Sequence, residues 1–513
     1  MMDMTVAPAE QEAGSGGWPW ELPAGWCWTY LGELGAWTGG GTPSKANKSF
    51  WSNGTVPWVS PKDMKADIIG DTEDKITIDA VENSSAKYVR IASVLMVLRS
   101  GILRHSFPVA VTDRIVTLNQ DLRALTPFEG IDPTFVARYL KFATKRVLED
   151  CSKDGTTVNS IEVSALERLP FPLAPLPEQH RVVNRLDALF TEISEGEAAL
   201  AEARKGLETF HRALLKAAVT GELTRDWREK NKPVKTGHDL LARIKAERAA
   251  QTSKGRRKRM QDTEPLNTTD LPELPEGWAW ALVADVGSVQ LGRQRAPQHH
   301  QGENMHPYLR VANVFENRID LNDVKEMNFS PAELETFELT PGDILLNEGQ
   351  TPDLLGRSAM WRSAERGFCF QNTLLRFRAI EPLEPEFCLL VFRHYLHAKR
   401  FKRESQITTN IAHLSSGRFS TIEFPVPPIE EQKEIVRLTQ HGLASAADTR
   451  ILLDSQLSDA ARLHQAILKS AFEGTLVPQD PADEPASVVL AHLKAAPSRA
   501  TIPRRGRKRA VRE

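Results

Sequence analysis

The chain has 513 residues, more than one compact domain usually holds, so several structural units are expected. Hydrophobic residues make up 41% and charged residues 26%, a composition that excludes a wholly disordered or fibrous protein. The net charge of −2 does not by itself indicate a nucleic-acid-binding protein. The 4 cysteines form no CxxC pair, which argues against a zinc ribbon and a disulfide framework. Because the sequence shows no signal peptide and no apolar run of membrane-spanning length, it predicts a cytoplasmic protein.

In chain order, the sequence predicts a disordered N-terminus over residues 1–19 and then two copies of one unit. The motif LPAGW at residues 22–26 returns as LPEGW at residues 274–278, an offset of 252. Phe171-Pro172 returns as Phe424-Pro425, an offset of 253. Because several such matches keep the same order, we infer a tandem duplication with a linker between the copies.

Each copy begins with a segment in which short apolar runs alternate with Gly, Pro, Asn and Asp, a pattern typical of a mixed α/β domain. These segments cover residues 20–176 and 271–428. Each is followed by a long predicted helix, over residues 177–222 and 429–474, and each helix stops near a glycine. Polar, basic segments follow the helices, and they are predicted to be a linker over residues 223–270 and a tail over residues 475–513. Their basic runs at residues 254–259 and 504–509 are suited to phosphate contact or simply to solvation.

The long helices carry apolar residues at the seven-residue spacing of a coiled coil. In the first helix these residues are Leu186, Ile193, Leu200, Leu207 and Leu214. In the second they are Ala446, Leu453, Ala460 and Ile467. We therefore predict an α+β fold of two pseudo-repeats whose helices pair with each other, antiparallel if a twofold axis relates the copies, with parallel packing as the alternative.

Motifs for catalysis are missing from the sequence. It contains no phosphate-binding GxxxxGK[ST] loop, no HExxH motif and no methyltransferase motif of the Asn/Asp-Pro-Pro-aromatic type. His394 and His397 have a metal-compatible spacing, but no cysteine or carboxylate lies close to them in sequence, so no metal site is predicted. A duplicated chain of this kind is expected to bind other molecules rather than to catalyse a reaction.

The duplicated helix starts, PLPEQ at residues 175–179 and PPIEEQ at residues 427–432, carry a family resemblance together with the LPxGW motifs and the paired helices. The sequence resembles the DNA-specificity (S) subunits of type I restriction–modification systems. The resemblance implies a non-catalytic subunit whose two target-recognition domains each bind one half of a split site in double-stranded DNA. It also implies two methyltransferase (modification) subunits as partners, allows two restriction (translocase) subunits, and leaves S-adenosylmethionine, ATP and Mg²⁺ to those partners.

Polar and basic loop residues are the candidates for DNA contact, because such side chains hydrogen-bond to base edges and phosphates. In the first copy the candidates are Thr42, Ser44, Lys45, Lys48, Arg99, Ser100, Arg104, Lys153, Thr156, Thr157 and Asn159. In the second copy they are Arg293, Gln294, Arg295, Asn347, Gln350, Thr351, Thr408, Thr409 and Asn410. Because the two sets differ in chemistry, the two half-sites are expected to differ in sequence.

The helix starts are the candidates for partner docking. The residues are Glu178, Gln179, Arg181, Glu431, Gln432 and Lys433. Three other interpretations of the chain remain open from the sequence: the specificity chain of a type II-like system, a protein–protein scaffold without a DNA role, and a methyltransferase whose catalytic part escapes recognition.

Overall fold

The computed structural model describes residues 18–153, 159–253, 266–408 and 411–495. The chain divides into two compact units. Unit 1 comprises Met1–Ala199 and Gln456–Glu513, and unit 2 comprises Leu200–Ser455. We call the globular part of unit 1, before its long helix, domain 1 (residues 18–175), and that of unit 2 domain 2 (residues 271–428).

The first half of the chain contains domain 1 and the first long helix. Its strands are β1 Cys27–Tyr30, β2 Gly35–Gly39, β3 Val56–Val59, β4 Ile68–Ile69, β5 Lys75–Ile76, β6 Tyr88–Val89, β7 Val94–Val97, β8 Val109–Thr112, β9 Val116–Leu118, β10 Leu122–Pro127, β11 Ser152–Lys153, β12 Ser160–Ile161 and β13 Pro170–Leu173. Its helices are α1 Ile78–Glu82, α2 Pro133–Phe142, α3 Thr144–Asp150, α4 Val163–Glu167 and α5 Leu176–Thr220.

The second half of the chain begins with two additional helices and then repeats the sequence of a mixed α/β domain followed by a long helix. The strands are β14 Ala279–Leu282, β15 Gly287–Leu291, β16 Met305–Leu309, β17 Val314–Phe315, β18 Arg318–Ile319, β19 Lys325–Asn328, β20 Ile344–Asn347, β21 Gly349–Gln350, β22 Ser358–Met360, β23 Cys369–Phe370, β24 Leu374–Ala379, β25 Gln406–Thr408, β26 Ile411–His413 and β27 Glu423–Val426. The helices are α6 Arg225–Lys230, α7 Gly237–Ser253, α8 Val283–Val286, α9 Pro331–Phe337, α10 Pro385–His397, α11 Arg400–Arg403, α12 Ser416–Ser420, α13 Ile429–Phe472 and α14 Ala486–Ala495.

Domain 1 is built on a five-stranded sheet in the order β2-β10-β7-β8-β4 and a four-stranded sheet in the order β5-β3-β9-β6. The apolar run of β7 lies in the middle of the first sheet, where all its residues are buried, as its continuous hydrophobic pattern indicates. Strand β1 pairs antiparallel with β13, with Cys27 opposite Leu173, so the start and end of the domain lie side by side.

Domain 2 follows the same plan. Its largest sheet has the order β15-β24-β20-β22, and its first strand β14 pairs antiparallel with its last strand β27, with Ala279 opposite Val426. A cluster of large aromatic side chains fills the core behind this sheet, including Phe377, Phe387 and Phe392. The predicted α+β class and the repeated architecture are therefore confirmed.

The two long helices pair antiparallel within each unit. In unit 1 the beginning of α5 packs on the end of α13, with Leu186 and Ile467 in one core and the rings of Phe190 and His464 4.7 Å apart. In unit 2 the end of α5 meets the beginning of α13, because a Cβ atom at Gly442 would lie 2.8 Å from Cδ2 of Leu214. Near the middle of both helices, Arg204 lies 3.5 Å from Asp454. Both arrangements exclude the parallel alternative.

Glycines end the long helices, as predicted. Gly221 and Gly474 both have a φ of +73°, a left-handed conformation that favours glycine at the end of a helix. A Cβ atom at Gly221 would lie 2.5 Å from Cγ of Pro275, and one at Gly474 would lie 2.2 Å from Cγ of Pro23. Each helix end therefore packs against the proline of an LPxGW motif.

The segments predicted as linker and tail contain helices that pack onto the two units. In α7, Ile244 has no exposed surface and Leu240 exposes 7%, and both belong to the core of unit 2. In α14, Ala486 and Leu490 are buried in the core of unit 1. The boundaries 223–270 and 475–513 thus differ from the structure, since part of each segment is folded. The basic runs at residues 254–259 and 504–509 lie outside the described residues. Among the described helices, none is long and apolar enough to cross a membrane.

Candidate nucleic-acid interface

The turn between β9 and β10 brings the candidate loops of domain 1 together. The hydroxyl group of Thr42 contacts the amide of Gln120 in this turn, and the carbonyl oxygen of Asp121 accepts hydrogen bonds from the backbone N–H groups of Leu98 (2.8 Å) and Arg99 (3.3 Å). The N–H of Ser100 donates to the carbonyl oxygen of Asn159 at 3.3 Å. The three predicted groups of domain 1 therefore meet at one end of the domain. We call this end tip 1, comprising residues 42–48, 99–104, 119–121, 153 and 159.

Four cationic side chains of tip 1 form no ion pair among the described residues. Lys45, Lys48, Arg99 and Arg104 are exposed, and none of them pairs with an acidic side chain in the part of the chain that the structure describes. Lys153 differs, because its Nζ atom lies 3.1 Å from Glu162. Exposed cations of this kind are what phosphate contact requires. Thr156 and Thr157 lie outside the described residues.

Domain 2 uses the corresponding turn in the same way. The N–H of Asn372 donates to the carbonyl oxygen of Arg293 at 2.9 Å, and the N–H of Glu348 donates to that of Thr373 at 2.9 Å. Strand β21, which contains Gln350, pairs with β26, and β26 pairs with β25, which contains Thr408. The candidate segments of domain 2 thus converge around residues 371–373. We call this end tip 2, comprising residues 293–295, 347–351, 371–373 and 406–408.

Two residues of domain 2 that the sequence predicted to contact DNA are buried in the structure. Arg293 exposes only 7%, because its guanidinium group donates to Glu333 at 2.8 Å, contacts the carbonyl oxygen of Asn328, and lies over the ring of Phe329. Asn347 has no exposed surface. Neither side chain reaches the surface, so both are removed from the set of DNA-contact candidates.

The remaining candidates of tip 2 are accessible where the structure describes them. Gln294, Arg295 and Thr351 are exposed, and Gln350 is half-buried with its Oε1 atom accepting from the N–H of Thr351 at 2.9 Å. Thr409 and Asn410 lie outside the described residues.

Gln120 and Asn372 are tip residues that the sequence-based set missed. Gln120 is exposed and Asn372 half-buried, and both carry amides, which suit contact with base edges. The offset of 252 places Gln120 opposite Asn372, so the duplication itself was a signal that could have identified this pair.

The glutamines of the helix starts fix each long helix to its own domain. The Oε1 atom of Gln179 accepts from the N–H of Asp132 at 2.8 Å, and its Nε2 atom donates to the carbonyl oxygen of Ala174 at 2.8 Å. The Oε1 atom of Gln432 accepts from the N–H of Glu384 at 3.0 Å, and its Nε2 atom donates to the carbonyl oxygen of Pro427 at 2.9 Å. The two helix starts thus repeat the same bonds.

The glutamates beside them are also internal. Glu431 accepts hydrogen bonds from Thr224 at 2.7 Å and from the indole N–H of Trp278 at 3.0 Å, which explains the tryptophan of the LPxGW motif. Burial raises the pKa of Glu178, although Gln479 donates a hydrogen bond to it at 3.2 Å.

The docking assignment is corrected for these four side chains. Glu178, Gln179, Glu431 and Gln432 are at most 1% exposed, and a side chain without exposed surface cannot contact a partner. Arg181, which pairs with Asp483 at 2.7 Å, and the exposed Lys433 remain docking candidates.

His211, Glu316 and His397 have ligand atoms within 4.8 Å of one another, which is a metal-compatible arrangement that sequence spacing could not reveal. However, the guanidinium group of Arg393 donates hydrogen bonds to two of these three side chains. Its Nε donates to Glu316 at 3.0 Å, and its Nη2 donates to Nε2 of His211 at 2.8 Å. A cation thus already satisfies these lone pairs. His394 is not part of this group.

Comparisons with known proteins agree with this architecture. The family model for the type I restriction modification DNA specificity domain matches twice, over residues 23–203 and 275–443, which together make up more than half of the chain. The two matches confirm the duplication.

Proteins with similar sequences include specificity subunits of type I restriction enzymes. The chain is 38% identical over 191 residues to the type I restriction enzyme EcoR124I/EcoR124II specificity subunit of Escherichia coli, covering 37% of this chain and about half (47%) of that relative. It is 23% identical over 363 residues to the EcoKI specificity subunit of Escherichia coli K12, covering 70% of this chain and 69% of the relative.

Among solved structures, a chain from work on assembly and conformational transition of the type I R-M system aligns with a TM-score of 0.62 and 19% identity, covering 89% of this chain and all (100%) of that one. The HsdS subunit from Thermoanaerobacter tengcongensis aligns with a TM-score of 0.55 and 19% identity, and the alignment covers 89% of this chain and 99% of that subunit. These structures support the fold.

Proposed function

Because the chain belongs to the type I restriction modification DNA specificity family, we propose that it is the subunit that recognises the DNA site of a restriction–modification complex. Each tip contacts one half of a bipartite site in double-stranded DNA. The single observation that carries this proposal is that the same turn in each domain, residues 119–121 and 371–373, gathers the polar candidate loops at one end of the domain.

The different chemistry of the tips supports unlike half-sites. Both turns carry an amide, but tip 1 presents Lys45, Lys48, Arg99 and Arg104, whereas tip 2 presents Gln294, Arg295 and Thr351. Arginine pairs preferentially with guanine, and amides pair with adenine. The two halves of the site therefore differ in sequence, and the site as a whole is asymmetric.

The chemistry of methylation belongs to partner subunits in this proposal. Two methyltransferase subunits bind the chain and supply S-adenosylmethionine, and two restriction subunits, where present, supply the ATP- and Mg²⁺-dependent steps. The whole complex acts in the cytoplasm. Arg181 and Lys433 are candidates for docking these partners. Ile451 and Leu452, which follow each other in α13, are also suited to docking, because they expose 69% and 57% of their surfaces.

The test is to purify the chain with and without its methyltransferase subunit and to sequence the methylated positions in a random DNA library. We expect the complex to methylate a split, asymmetric site and the chain alone to methylate nothing. Methylation by the chain alone would contradict a non-catalytic subunit. A complex without sequence preference would favour a protein–protein scaffold, and a single complex that both methylates and cuts would favour a type II-like system.

A further inference from the structure

Arg138 joins domain 1 to the long helix of unit 1. It lies on α2, and its guanidinium group contacts Asp67 of the same domain and Asp187 of α5, each at 2.7 Å. The guanidinium carbon also lies 5.4 Å from the ring centre of Phe190, one turn further along α5. The side chain of Arg138 exposes 17%, whereas Asp67 and Asp187 expose 54% and 50%, so solvent screens both ion pairs in part.

Arg393 makes a similar connection in unit 2. It lies on α10, its Nε donates to Glu316 of the same domain at 3.0 Å, and its Nη2 donates to Nε2 of His211 on α5 at 2.8 Å. Its side chain exposes 7%. Burial acts to raise the pKa of Glu316, but the hydrogen bond from His397 and the charge of Arg393 outweigh it and lower the pKa to about 2. Glu316 is therefore ionised and holds the guanidinium group in place.

The two arginines are not copies of one ancestral position. The offset of 252 places Leu390 opposite Arg138, and Lys141 opposite Arg393. Each domain nevertheless uses an arginine to bridge one of its own acidic residues and the side of α5. Because the same kind of contact is made from different positions, it was not simply inherited with the repeat. This favours a role in fixing the angle between each domain and the helix.

The glutamine at each helix start is one attachment among several, since the core of each domain also includes apolar residues of the long helices. In unit 1 this glutamine is Gln179, and Asp187 lies eight residues further along α5, about 12 Å along the helix axis. Apolar packing is non-directional and tolerates small rotations, whereas an ion pair or a hydrogen bond further along the helix has a defined geometry and restricts them. In unit 2 this hydrogen bond is even made to the other long helix, since Gln432 belongs to α13 and His211 to α5.

We propose that Arg138 and Arg393 are positioning residues that fix the angle of each domain on the long helices and so determine how strictly the complex selects the spacer between the two half-sites. This proposal rests on the proposed DNA-recognition function. Neither arginine contacts DNA. Removing either bridge widens the range of domain angles that the shared core allows, so that spacers one base pair longer or shorter are accepted while the bases of each half-site stay the same.

The experiment compares the intact complex with methyltransferase subunits across a DNA library whose spacer length is varied by single base pairs. The unit 1 variants are Arg138→Met and Asp187→Asn, and the unit 2 variants are Arg393→Met and His211→Ala. Asp187→Asn leaves the bond from Arg138 to Asp67 intact, so the fold of the domain is preserved. The matched controls are Arg146→Met and Arg362→Met, which remove ion pairs with Asp150 and Glu386 inside the same two domains.

We expect each bridge variant to reduce the preference for the wild-type spacer over its one-base-pair neighbours by about fivefold, which corresponds to one partly buried ion pair. The controls should keep the wild-type preference. The double variant Arg138→Met/Asp187→Asn should lose no more than either single variant, because both remove the same connection.

Two results would overturn the proposal. One is an unchanged spacer preference in folded Asp187→Asn and His211→Ala complexes, and the other is a changed half-site sequence in Arg138→Met or Arg393→Met, which would make these arginines DNA contacts. Failure of the underlying function is distinguishable, because the wild-type complex would then select no split site at all.

Discussion

At the scale of single residues, the amide of Gln432 shows how a helix start is joined to the preceding domain. It has no exposed surface and satisfies two backbone groups, the N–H of Glu384 and the carbonyl oxygen of Pro427. Replacing Gln432 by Ala leaves both groups buried without a partner, which costs about 3 kcal/mol of unfolding free energy. Urea denaturation of the complete chain should show this loss, with Gln440→Ala on the exposed face of the same helix as control.

The half-site sequences should remain those of the wild type in Gln432→Ala, because the side chain lies inside the unit and away from tip 2. A variant of normal stability with a changed half-site would contradict the anchoring role.

His394 makes unit 2 sensitive to acid. Burial, followed by the charges of His397 and Lys216, lowers its pKa from 6.5 to about 4. Since the folded-state pKa lies below the unfolded-state value, the unfolded chain takes up the proton first, and stability that is fully present above pH 6.5 is lost as the pH falls towards 4. His394→Gln should remove most of this loss, which is about 3 kcal/mol for a shift of this size.

The measurement is the urea midpoint at pH 7, 5.5 and 4. Replacement of the exposed His441 by Gln is the control and should follow the wild type. An identical pH dependence of wild type and His394→Gln would show that this side chain is not the group that titrates.

The tips show how far single residues can be predicted from the sequence. The loop positions of Lys45, Arg99 and Gln294 follow from glycine-rich punctuation between apolar runs, and the structure exposes all three. The burial of Arg293 could not be predicted, because its partner Glu333 comes 40 residues later, on a helix that packs against it only in the folded domain. The same holds for the contact between His211 and Arg393, which are separated by 182 residues.

At the scale of elements, periodicity predicted the long helices well and missed helix α7. Leu186 and Leu214 of the heptad pattern are buried, whereas Ile193, Leu200 and Leu207 between them are only half-buried. In a pair of helices, the partner helix covers each of these apolar side chains from one side only, so the other side stays exposed to solvent. Helix α7 was missed because Leu240, Leu241 and Ile244 form little more than one apolar turn in a polar segment, too short to define a period.

Helix α7 provides a test at this scale. Ile244 has no exposed surface in the core of unit 2, so Ile244→Ala should lower the unfolding free energy by about 3 kcal/mol through lost packing and a cavity. Arg243→Ala, one residue earlier on the exposed face, should have little effect because it removes only a surface ion pair with Glu247. Equal stability of the two variants would show that the segment after Gly221 behaves as a linker.

At the scale of the whole molecule, the pairing of β1 with β13 makes domain 1 an exchangeable module. Its two ends lie side by side next to the start of α5, so residues 20–176 can be replaced by those of a relative without breaking a sheet. We expect the exchange to change one half-site and to leave the other unchanged, as measured by sequencing methylated DNA. The reciprocal exchange of residues 271–428 is the control, and simultaneous change of both halves in either chimaera would contradict independent recognition.

The last prediction concerns the length of the helices, which we propose sets the distance between the half-sites. Deleting Leu200–Gly206 and Leu452–Ser458 removes both partners of the Arg204–Asp454 pair and so keeps the antiparallel register. Seven residues shorten each helix by about 10 Å. They also amount to nearly two turns, so the apolar seam is rotated by only about 20°.

At 3.4 Å per base pair the shorter helices correspond to about three base pairs, and the spacer that binds best should shrink by about that number. The two half-sites should keep their sequences, while the original site should bind poorly because three base pairs also turn one half by about a third of the DNA helix. Selection from a library of spacer lengths measures this shift, with single-residue alanine variants at Glu202 and Ser455 as controls. A folded deletion variant with the wild-type spacer would show that the helices do not determine the distance.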